Sequence, residues 1–263
     1  MTGGKAMTPY EKVKAVRSGD RLTSVDFIKN IFTEFTELHG DRRFGDDSAI
    51  IAGIARLSGM PVTVIGIEKG HDTKTKIKRN FGMAHPEGYR KALRQMKLAE
   101  KFNRPVICFV DTSGAYCGIG AEERGQAQAI AENLSEMMTL RVPILSVLIG
   151  EGGSGGAIAL AVADEVWMLE NAVYSVISPE GCASILWKNP EKVEEAAKCL
   201  KMTAKDLKEL GVIEKIIAEP SKISNFYEEL GRIMTETIEK NMSLPVDELL
   251  GRRYEKFRKI GRR

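Results

Sequence analysis

The sequence lacks the features by which several protein classes are recognised. Its four cysteines are widely spaced and form no C-x-x-C pair, so neither a zinc ribbon nor a disulfide framework is expected. No apolar run approaches the roughly 20 residues that a membrane span needs, and the first 20 residues have no apolar core typical of a signal peptide. These absences predict a cytoplasmic protein with free thiols and no metal site of its own.

The sequence also lacks a large excess of positive or negative charge. The 263-residue chain has a formal net charge of only +3, with acidic and basic residues mixed along it, which argues against a dedicated nucleic-acid or membrane-surface protein. One local exception is HDTKTKIKRNFGM, which contains Lys74, Lys76, Lys78 and Arg79. This basic run could meet phosphate or carboxylate groups or be a solvated loop, and it keeps a nucleic-acid-binding regulator open as a non-enzyme alternative.

Apolar runs alternate with helical patterns through the middle of the chain. AIIAGIARL and PVTVIGIE, separated by a turn at Gly59, predict a hairpin or two adjacent strands, and PVICFV, VPILSVLI and EVWML predict three more. The helical patterns PEGYRKALRQMKLAEKF and EERGQAQAIAENLSEMMTL each precede a strand, with a repeat of about 40 residues. Strands joined in this way are expected to be parallel, so the pattern predicts a layered α/β fold.

Both ends of the chain have helical patterns. Residues 8–38 predict an amphipathic leader with Val25, Ile28, Phe32 and Phe35 on one face. The tail from Thr203 predicts further helix and ends in the basic RRYEKFRKIGRR. A solvated, partly frayed helix is the expectation for this tail, and a partner-binding role is the alternative.

The stretch LIGEGGSGGAIALAVAD, residues 148–164, is called the glycine stretch below. Gly150, Gly152 and Gly155 match the dinucleotide pattern G-x-G-x-x-G, while Gly152, Ser154 and Gly156 match the hydrolase elbow G-x-S-x-G. The same residues allow a third interpretation. Main-chain amides left bare by glycine, at the start of a short helix, could stabilise an oxyanion. A turn that permits close packing is the structural alternative.

Chain order and spacing weaken the first two interpretations. All three histidines precede Ser154, which rules out the usual Ser-Asp-His order of a hydrolase triad. The segment 157–164 is short for the crossover helix of a dinucleotide site, although Glu170 lies near the position of a ribose-binding acid. An oxyanion hole needs no side-chain base, which suits a chain with so few histidines.

A second glycine-containing loop, DTSGAYCGIGAEERGQ, covers residues 111–126 and follows the predicted strand that ends at Val110. It occupies the same topological position as the glycine stretch, one repeat earlier. Two loops at the carboxyl ends of parallel strands are expected to face one crevice. Glu122 and Glu123 are interpreted as first-turn carboxylates on a solvated helix rather than as acid or base catalysts.

Five blocks together carry a family resemblance. Between about Thr8 and Glu219, LHGDRRFGDD, KIKRNFGMAHPEGYRKALR, DTSGAYCGIGAEERGQ, GEGGSGGAIALAVAD and YSVISPEGCASILWK resemble the α subunit of bacterial acetyl-CoA carboxylase carboxyltransferase. The resemblance implies a crotonase-like α/β fold, a spiral of ββα repeats with helical extensions at both ends. It divides the chain into an N-terminal helical extension (1–40), a carboxyltransferase domain (41–220) and a C-terminal helical tail (221–263).

The resemblance also implies an activity. Members of the family move a carboxyl group from carboxybiotin, held on a separate biotin carboxyl carrier protein, to acetyl-CoA, which gives malonyl-CoA for fatty acid biosynthesis. Biotin carboxylase and a zinc-bearing β subunit are the other implied partners, the latter in an α2β2 heterotetramer. Action on another acyl-CoA, or a biotin-dependent decarboxylase, remains the alternative within the enzyme class.

Site residues follow from the same resemblance. The main-chain amides of Gly155 and Gly156 are expected to form the oxyanion hole for the biotin carbonyl. Substrate-binding roles are expected for Gly118, Gly120, Gly152, Gly153, Arg79 and Asn80. One departure from the family pattern is DTSGAYCG in place of D-T-P-G-A-Y-P-G, with Ser113 and Cys117 at the two proline positions, which removes two φ restraints from this loop.

Overall fold

A computed structural model describes residues 7–19, 21–219 and 225–262, and these residues form one sheet flanked by helices. The strands are β1 (Thr33–Glu37), β2 (Ile50–Leu57), β3 (Met60–Ile67), β4 (Val106–Thr112), β5 (Ile144–Gly153), β6 (Glu165–Leu169), β7 (Val173–Ser175) and β8 (Lys215–Ile217). The α-helices are α1 (Pro9–Val16), α2 (Ser24–Ile31), α3 (Thr73–Lys78), α4 (Pro86–Lys101), α5 (Ile119–Glu123), α6 (Gln126–Thr139), α7 (Ser154–Ile158), α8 (Pro179–Leu186), α9 (Val193–Cys199), α10 (Ala204–Glu209), α11 (Phe226–Met242) and α12 (Val246–Lys259). Short 3-10 turns cover Asn80–Gly82 and Pro190–Lys192.

The sheet order is β1-β2-β3-β4-β5-β6-β8, with β7 paired to β5 beside this path. The first three strands are antiparallel, and every pairing from β3 onward is parallel. The predicted hairpin is therefore confirmed as β2 and β3, and the predicted parallel strands are confirmed as β4, β5 and β6. All seven residues of β4 are buried, which explains why its sequence shows no alternation.

The outer helices cover the sheet with narrow apolar faces. In α4 the fully buried residues include Tyr89, Ala92, Met96 and Ala99, at the spacing of one helix face. The helix α6 packs beside α4 and buries Ala129 and Met137. Both helices run between the carboxyl end of one parallel strand and the amino end of the next, so the loops before them lie at a single edge of the sheet.

The expectation of a continuous helical leader over 8–38 is wrong. The chain forms the short helices α1 and α2, and residues 33–37 form the edge strand β1, which pairs with β2. Phe32 already has extended backbone angles at the end of α2. The sequence TEFTE suits an edge strand because its threonines are β-branched and one face stays polar, and strand pairing outweighs the helical period.

The expectation of a solvated, frayed tail is also wrong. Leu230, Met234 and Ile238 of α11 are buried in the main hydrophobic cluster, and Leu249 and Arg253 of α12 are buried as well. The buried residues of α11 recur every four positions, so this helix has a core-facing stripe. The expected domain boundary at 220 and 221 lies outside the described residues.

The described residues contain no helix that is long and apolar enough to cross a membrane. All four cysteines are free thiols; Cys108 and Cys182 are buried, whereas Cys117 and Cys199 are exposed.

Candidate functional site

The glycine stretch leaves the sheet where β5 passes directly into α7. Ser154 adopts a left-handed φ of 48° at the junction, and Gly155 and Gly156 follow in the first turn of a helix of only five residues. The N–H groups of a first turn have no acceptor within their own helix. Gly155 is half-buried and Gly156 is buried, so Gly155 is the more accessible of the two residues.

Three glycines of the stretch make room for the loop 111–115. A Cβ atom at Gly150 would lie 2.3 Å from Oδ1 of Asp111, and one at Gly153 would lie 2.1 Å from the carbonyl oxygen of Ser113. A Cβ at Gly156 would lie 2.6 Å from the main-chain nitrogen of Ala115. The two loops predicted to face one crevice are therefore interlocked through their backbones at Gly153 and Gly156, while Gly150 makes room for the Asp111 carboxylate, and the close-packing interpretation holds at these three positions.

Gly152 and Gly155 differ from those three positions. A Cβ at Gly152 would meet the side chain of Leu148 at 2.5 Å, whereas one at Gly155 would meet Ile130 at an ordinary 3.5 Å. Space alone does not require glycine at position 155.

The loop 111–118 is held by polar contacts although it lacks the two family prolines. The Thr112 hydroxyl donates to the carbonyl oxygen of Gly114 at 2.7 Å, and the side-chain amide of Gln126 donates to the carbonyl oxygens of Ala84 and Tyr116. The ring of Tyr116 also stacks on that of His85, with a centroid distance of 4.2 Å. These contacts fix the loop beside the glycine stretch without proline.

A network of charged side chains lies next to these loops, and the sequence analysis missed it. Asp111 Oδ1 accepts from the Glu151 N–H at 2.8 Å and from Lys69 Nζ at 2.6 Å. The Glu151 carboxylate accepts from Arg17 Nη2 at 2.6 Å, and Arg17 Nη1 reaches Glu180 at 3.0 Å. The hydrogen bonds that Arg17 donates to Glu151 outweigh the opposing effect of burial and raise the pKa of Arg17.

These charges join the carboxyl ends of three neighbouring strands to α1 and α8, and they line part of a cavity of about 240 Å³. The sequence did contain a signal for this network, because Asp111 and Glu151 are acidic residues at the ends of apolar runs. Buried carboxylates need partners, so each of them indicated a cation nearby. A smaller cavity of about 40 Å³ lies beside Gly152, Gly153 and Ser154.

The remaining predicted residues lie near these loops with varied environments. Gly118 caps the start of α5 and Gly120 lies within that helix. Arg79 donates to the carbonyl oxygen of Ser48 at 2.7 Å, and Asn80 donates to that of Met83 at 2.6 Å. The substrate-binding roles of these four residues stay predictions.

The structure weighs against both short-motif interpretations. The positive φ of Ser154 resembles a nucleophile elbow, but each histidine contacts other residues, namely Asp46, Asp47, Thr23 and Asp26. The five-residue α7 is far shorter than a dinucleotide crossover helix, and Glu170 is exposed. Among the described residues, no group of three or more His, Cys, Asp or Glu side chains is placed to hold a metal ion.

Comparison with known proteins identifies the family. A protein-family model described as acetyl co-enzyme A carboxylase carboxyltransferase-like matches residues 4–261. The chain belongs to this family. The acetyl-coenzyme A carboxylase carboxyl transferase subunit alpha of Ruminiclostridium cellulolyticum is 66% identical over 256 residues, which are 97% of this chain and 98% of the relative. The α-subunit resemblance is confirmed, and the chain is a carboxyltransferase α subunit, part of a transferase.

A second relative of this carboxyltransferase α subunit carries two subunits in one polypeptide. The subunits beta/alpha protein of Natranaerobius thermophilus is 60% identical over 267 residues, covering 98% of this chain and 44% of the relative. Its name places an α sequence and a β sequence on the same chain, which supports pairing with a β subunit.

Solved structures confirm the expected crotonase-like fold of the α subunit. The transcarboxylase 12S structure matches with a TM-score of 0.70 at 18% identity, over 91% of this chain and 46% of that chain. The β subunit of geranyl-CoA carboxylase from P. aeruginosa gives a TM-score of 0.67 at 18% identity, over 91% and 46%. The α subunit thus spans about half the length of these solved chains. At such identities the likeness establishes the fold alone.

Proposed function

We propose that this chain, together with a β subunit, transfers a carboxyl group from carboxybiotin on a separate carrier protein to acetyl-CoA and so forms malonyl-CoA for fatty acid biosynthesis. The observation that carries the proposal is the junction of β5 and α7, where the half-buried Gly155 lies in a first helical turn, whose N–H groups have no acceptor within the helix. The names of the relatives at 66% and 57% identity support acetyl-CoA as the acceptor.

The residues at the junction fit a bound carbonyl group. Biotin, when bound, supplies an activated carboxyl group and a carbonyl oxygen that gains negative charge as the carboxyl group leaves. The N–H groups of Gly155 and Gly156 are the donors that would stabilise this charge. Their positions are set by the packing of Gly153 and Gly156 on the peptide units of Ser113 to Ala115, so the donors need little reorganisation during the reaction.

A partner chain is needed to enclose such a ligand. The cavity beside Gly152 to Ser154 is only about 40 Å³, whereas small-molecule sites usually measure about 300 Å³ or more. Beyond this cavity, Val176, Ile185 and Leu186 expose 75%, 66% and 68% of their surfaces. An apolar surface at the edge of an incomplete pocket suits a subunit interface, which we assign to the zinc-bearing β subunit in an α2β2 heterotetramer.

The remaining parts of the proposal concern the setting of the reaction. The biotin carboxyl carrier protein delivers the carboxybiotin that biotin carboxylase makes, and all components act in the cytoplasm. The acceptor is tested with the co-purified α and β subunits, carboxybiotin as the carboxyl donor and a series of short acyl-CoAs. If another acyl-CoA is carboxylated faster than acetyl-CoA, the acceptor is that acyl-CoA. If net decarboxylation is observed, the protein is part of a biotin-dependent decarboxylase.

The sharpest test of the site removes one main-chain donor and adds no side chain. Replacing Gly155 by glycolic acid exchanges the amide N–H for an ester oxygen while the shape of the backbone is kept. Loss of one oxyanion donor lowers the rate by about 10² to 10³, so single-turnover carboxyl transfer should fall by that factor in an intact α2β2 assembly. Ser154→Ala is the matched control and should stay within about tenfold of the parent protein. An inactive serine variant beside an active ester variant would reopen the hydrolase interpretation.

The half-site proposal has a separate test. The purified α chain alone should transfer no carboxyl group and should bind no stoichiometric zinc in a metal analysis, while added β subunit should restore activity and change the mass to that of the heterotetramer. Carboxyl transfer by the α chain alone would contradict the proposal. A persistent monomer in excess β subunit would contradict the assembly.

A further inference from the structure

A second cleft lies on the helical layer and has no lining residue in common with the two cavities at the glycine stretch. It measures about 410 Å³ and is formed by α4, the loop 39–45 and one residue of α6. Its lining, called the basic cleft below, comprises Asp41, Arg42, Arg43, Arg90, Leu93, Arg94, Lys97, Leu98, Lys101 and Glu132. Six of these ten side chains are cationic and two are anionic, so the cleft carries four net positive charges, more than the +3 of the whole chain.

The two acidic residues of the basic cleft neutralise only part of its charge. Asp41 pairs with Arg90 at 2.7 Å, and Glu132 lies 3.6 Å from Arg43. In contrast, Arg42, Arg94 and Lys101 form no ion pair with any carboxylate in the described part of the chain. Three cations in one concave surface therefore have no direct ion-pair partner, although the carboxylates of Asp46 and Asp41 offset part of the charge of Arg94 from a greater distance.

The geometry brings two of these cations together. Arg42 Nη1 and Arg94 Nη2 both donate to the carbonyl oxygen of His39 at 3.0 Å, and Arg94 Nε donates to that of Gly40 at 2.9 Å. Burial, and then the positive charge of Arg42, lowers the pKa of Arg94. Two guanidinium groups held around one carbonyl oxygen repel each other, and a bound anion would relieve that repulsion.

The loop that presents Arg42 is rigidly built. One oxygen of Asp41 accepts from the main-chain N–H groups of Arg43, Phe44 and Gly45 at 2.9, 2.8 and 3.0 Å, and the other accepts from Arg90. Arg42 itself adopts a left-handed φ of 65°, a conformation that costs a non-glycine residue about 1 kcal/mol or more. The surrounding bonds hold the backbone there, so the position from which the Arg42 side chain extends is set before any ligand arrives.

We propose that the basic cleft binds the phosphate groups of a small phosphorylated molecule. Guanidinium groups match the oxygens of phosphate in a bidentate geometry, and Arg42 keeps four of its five N–H donors free of the His39 contact. Leu93 and Leu98 supply an apolar wall beside the cations, and the volume of the cleft is that of a small-molecule site. Because the cleft shares no residue with the glycine stretch, this inference does not depend on the proposed carboxyl transfer.

The test uses isothermal titration of the full α chain in complex with its β subunit, at an ionic strength of about 0.15 M so that diffuse charge is screened. Inorganic pyrophosphate should bind saturably with one site per α chain. Arg42→Gln should weaken binding about tenfold or more, the effect expected for one charge-assisted contact. Lys101→Gln should weaken it about threefold, and this exposed side chain lets the cleft be tested without disturbing the loop.

Arg252→Gln is the matched control, because Arg252 is an exposed arginine of α12 that lines a different cleft. It should change pyrophosphate affinity less than about twofold. ADP and orthophosphate distinguish the sources of the phosphate: ADP binding as tightly as pyrophosphate supports a nucleotide ligand, whereas equal affinity for orthophosphate supports a free anion. The proposal is overturned if no saturable binding is seen, if Arg252→Gln weakens binding as much as Arg42→Gln, or if the β subunit abolishes binding that the free chain shows. Tighter binding of a single-stranded polynucleotide than of pyrophosphate would also overturn it.

Discussion

Two arginines tie opposite ends of the chain to the same sheet, and they do so in different environments. Arg253 of α12 is fully buried; it donates to both oxygens of Asp164 at 2.8 and 2.7 Å and to the carbonyl oxygens of Met137, Leu140 and Val142. Arg17, at the end of α1, exposes 37% of its side chain and bonds only to carboxylates. Arg253 therefore anchors α12 in the interior, away from solvent. Arg17 anchors α1 beside the candidate site, in contact with solvent.

This difference in burial determines how much stability is lost when each arginine is removed. A buried ion pair that loses one partner leaves an uncompensated charge without water, which costs about 3 to 5 kcal/mol. In the Arg17 pair the arginine is 37% exposed but Glu151 only 9%. Because water reaches Arg17 and Lys69 stays 3.8 Å from Glu151, loss of the pair should cost an amount near the upper end of the range of about 0 to 1 kcal/mol for exposed pairs. Arg253 should therefore act on the stability of the whole fold, whereas Arg17 should act on the local position of Glu151.

The largest expected effect is that of Arg253→Met. This change leaves Asp164 and three carbonyl oxygens without their donor, so the free energy of unfolding should fall by about 3 to 5 kcal/mol, as measured by urea denaturation. The adjacent Arg252→Gln is the control and should lower it by less than about 1 kcal/mol, since Arg252 is exposed and pairs only with Glu248. Equal effects of the two changes would show that burial is not the deciding variable.

An intermediate effect is expected at Asp41, whose pair with Arg90 is nearly as buried as that of Arg253. Burial alone would raise the pKa of Asp41, but three main-chain N–H groups and Arg90 together lower it from 3.8 to about 2. Because the folded pKa is depressed, the stabilisation is fully present above about pH 4 and is lost as the pH falls toward 2. At neutral pH it amounts to about 2 kcal/mol.

Asp41→Asn should therefore be less stable than the parent protein by about this amount at pH 7, and the difference should shrink below pH 4. Urea titrations between pH 3 and pH 7 measure it. The exposed Asp247 provides the control, because its side chain is 94% exposed and Asp247→Asn should leave the curve unchanged. If the difference in unfolding free energy between Asp41→Asn and the parent protein does not depend on pH, the effect of Asp41 comes from the shape of its side chain and not from its charge.

The smallest effect on stability is expected for Arg17→Gln, which should lower the free energy of unfolding by less than about 1 kcal/mol. Its effect should be seen in carboxyl transfer by the assembled enzyme. Glu151 precedes Gly152 in β5, and a small displacement of a reacting group can lower a rate by tenfold or more, up to about 10² for 1 Å. We expect a loss of about tenfold in single-turnover rate, with Arg232→Gln, an exposed arginine of α11, as the control. If Arg17→Gln leaves the single-turnover rate unchanged, the ion pairs of Arg17 only attach α1 to the rest of the fold and do not position Glu151 for the reaction.

The strands and crossovers could be predicted because they rest on local patterns. The apolar runs around Ile50, Val106 and Ile144 are long and bounded by turn residues, so β2, β4 and β5 follow from sequence. In contrast, β7 and β8 have three residues each. Strands so short carry no periodicity, and their pairing is decided by the neighbours that the fold places beside them.

The position of the candidate site was also predictable, but not its supporting charges. Glycines after an apolar run indicate a loop at a strand end, which located residues 150–156. The partners of Asp111, Glu151 and Arg253 lie 40, 134 and 89 positions away in the chain, and a single sequence gives no signal for such separations. A basic tail likewise gave no reason to expect one of its arginines in the core.

The interlocked loops limit which substitutions the glycine stretch can accept during evolution. At Gly153 and Gly156 the obstructing atoms include the backbone of residues 113–115, so a side chain there needs a rebuilt loop, whereas at Gly150 the obstruction is the Asp111 carboxylate, which a second substitution could remove. Gly155 has room for a methyl group and is constrained only by whatever its amide binds. In a randomised library selected for folding alone, position 155 should diversify while positions 153 and 156 stay glycine, and a second selection for activity should change which residues position 155 retains.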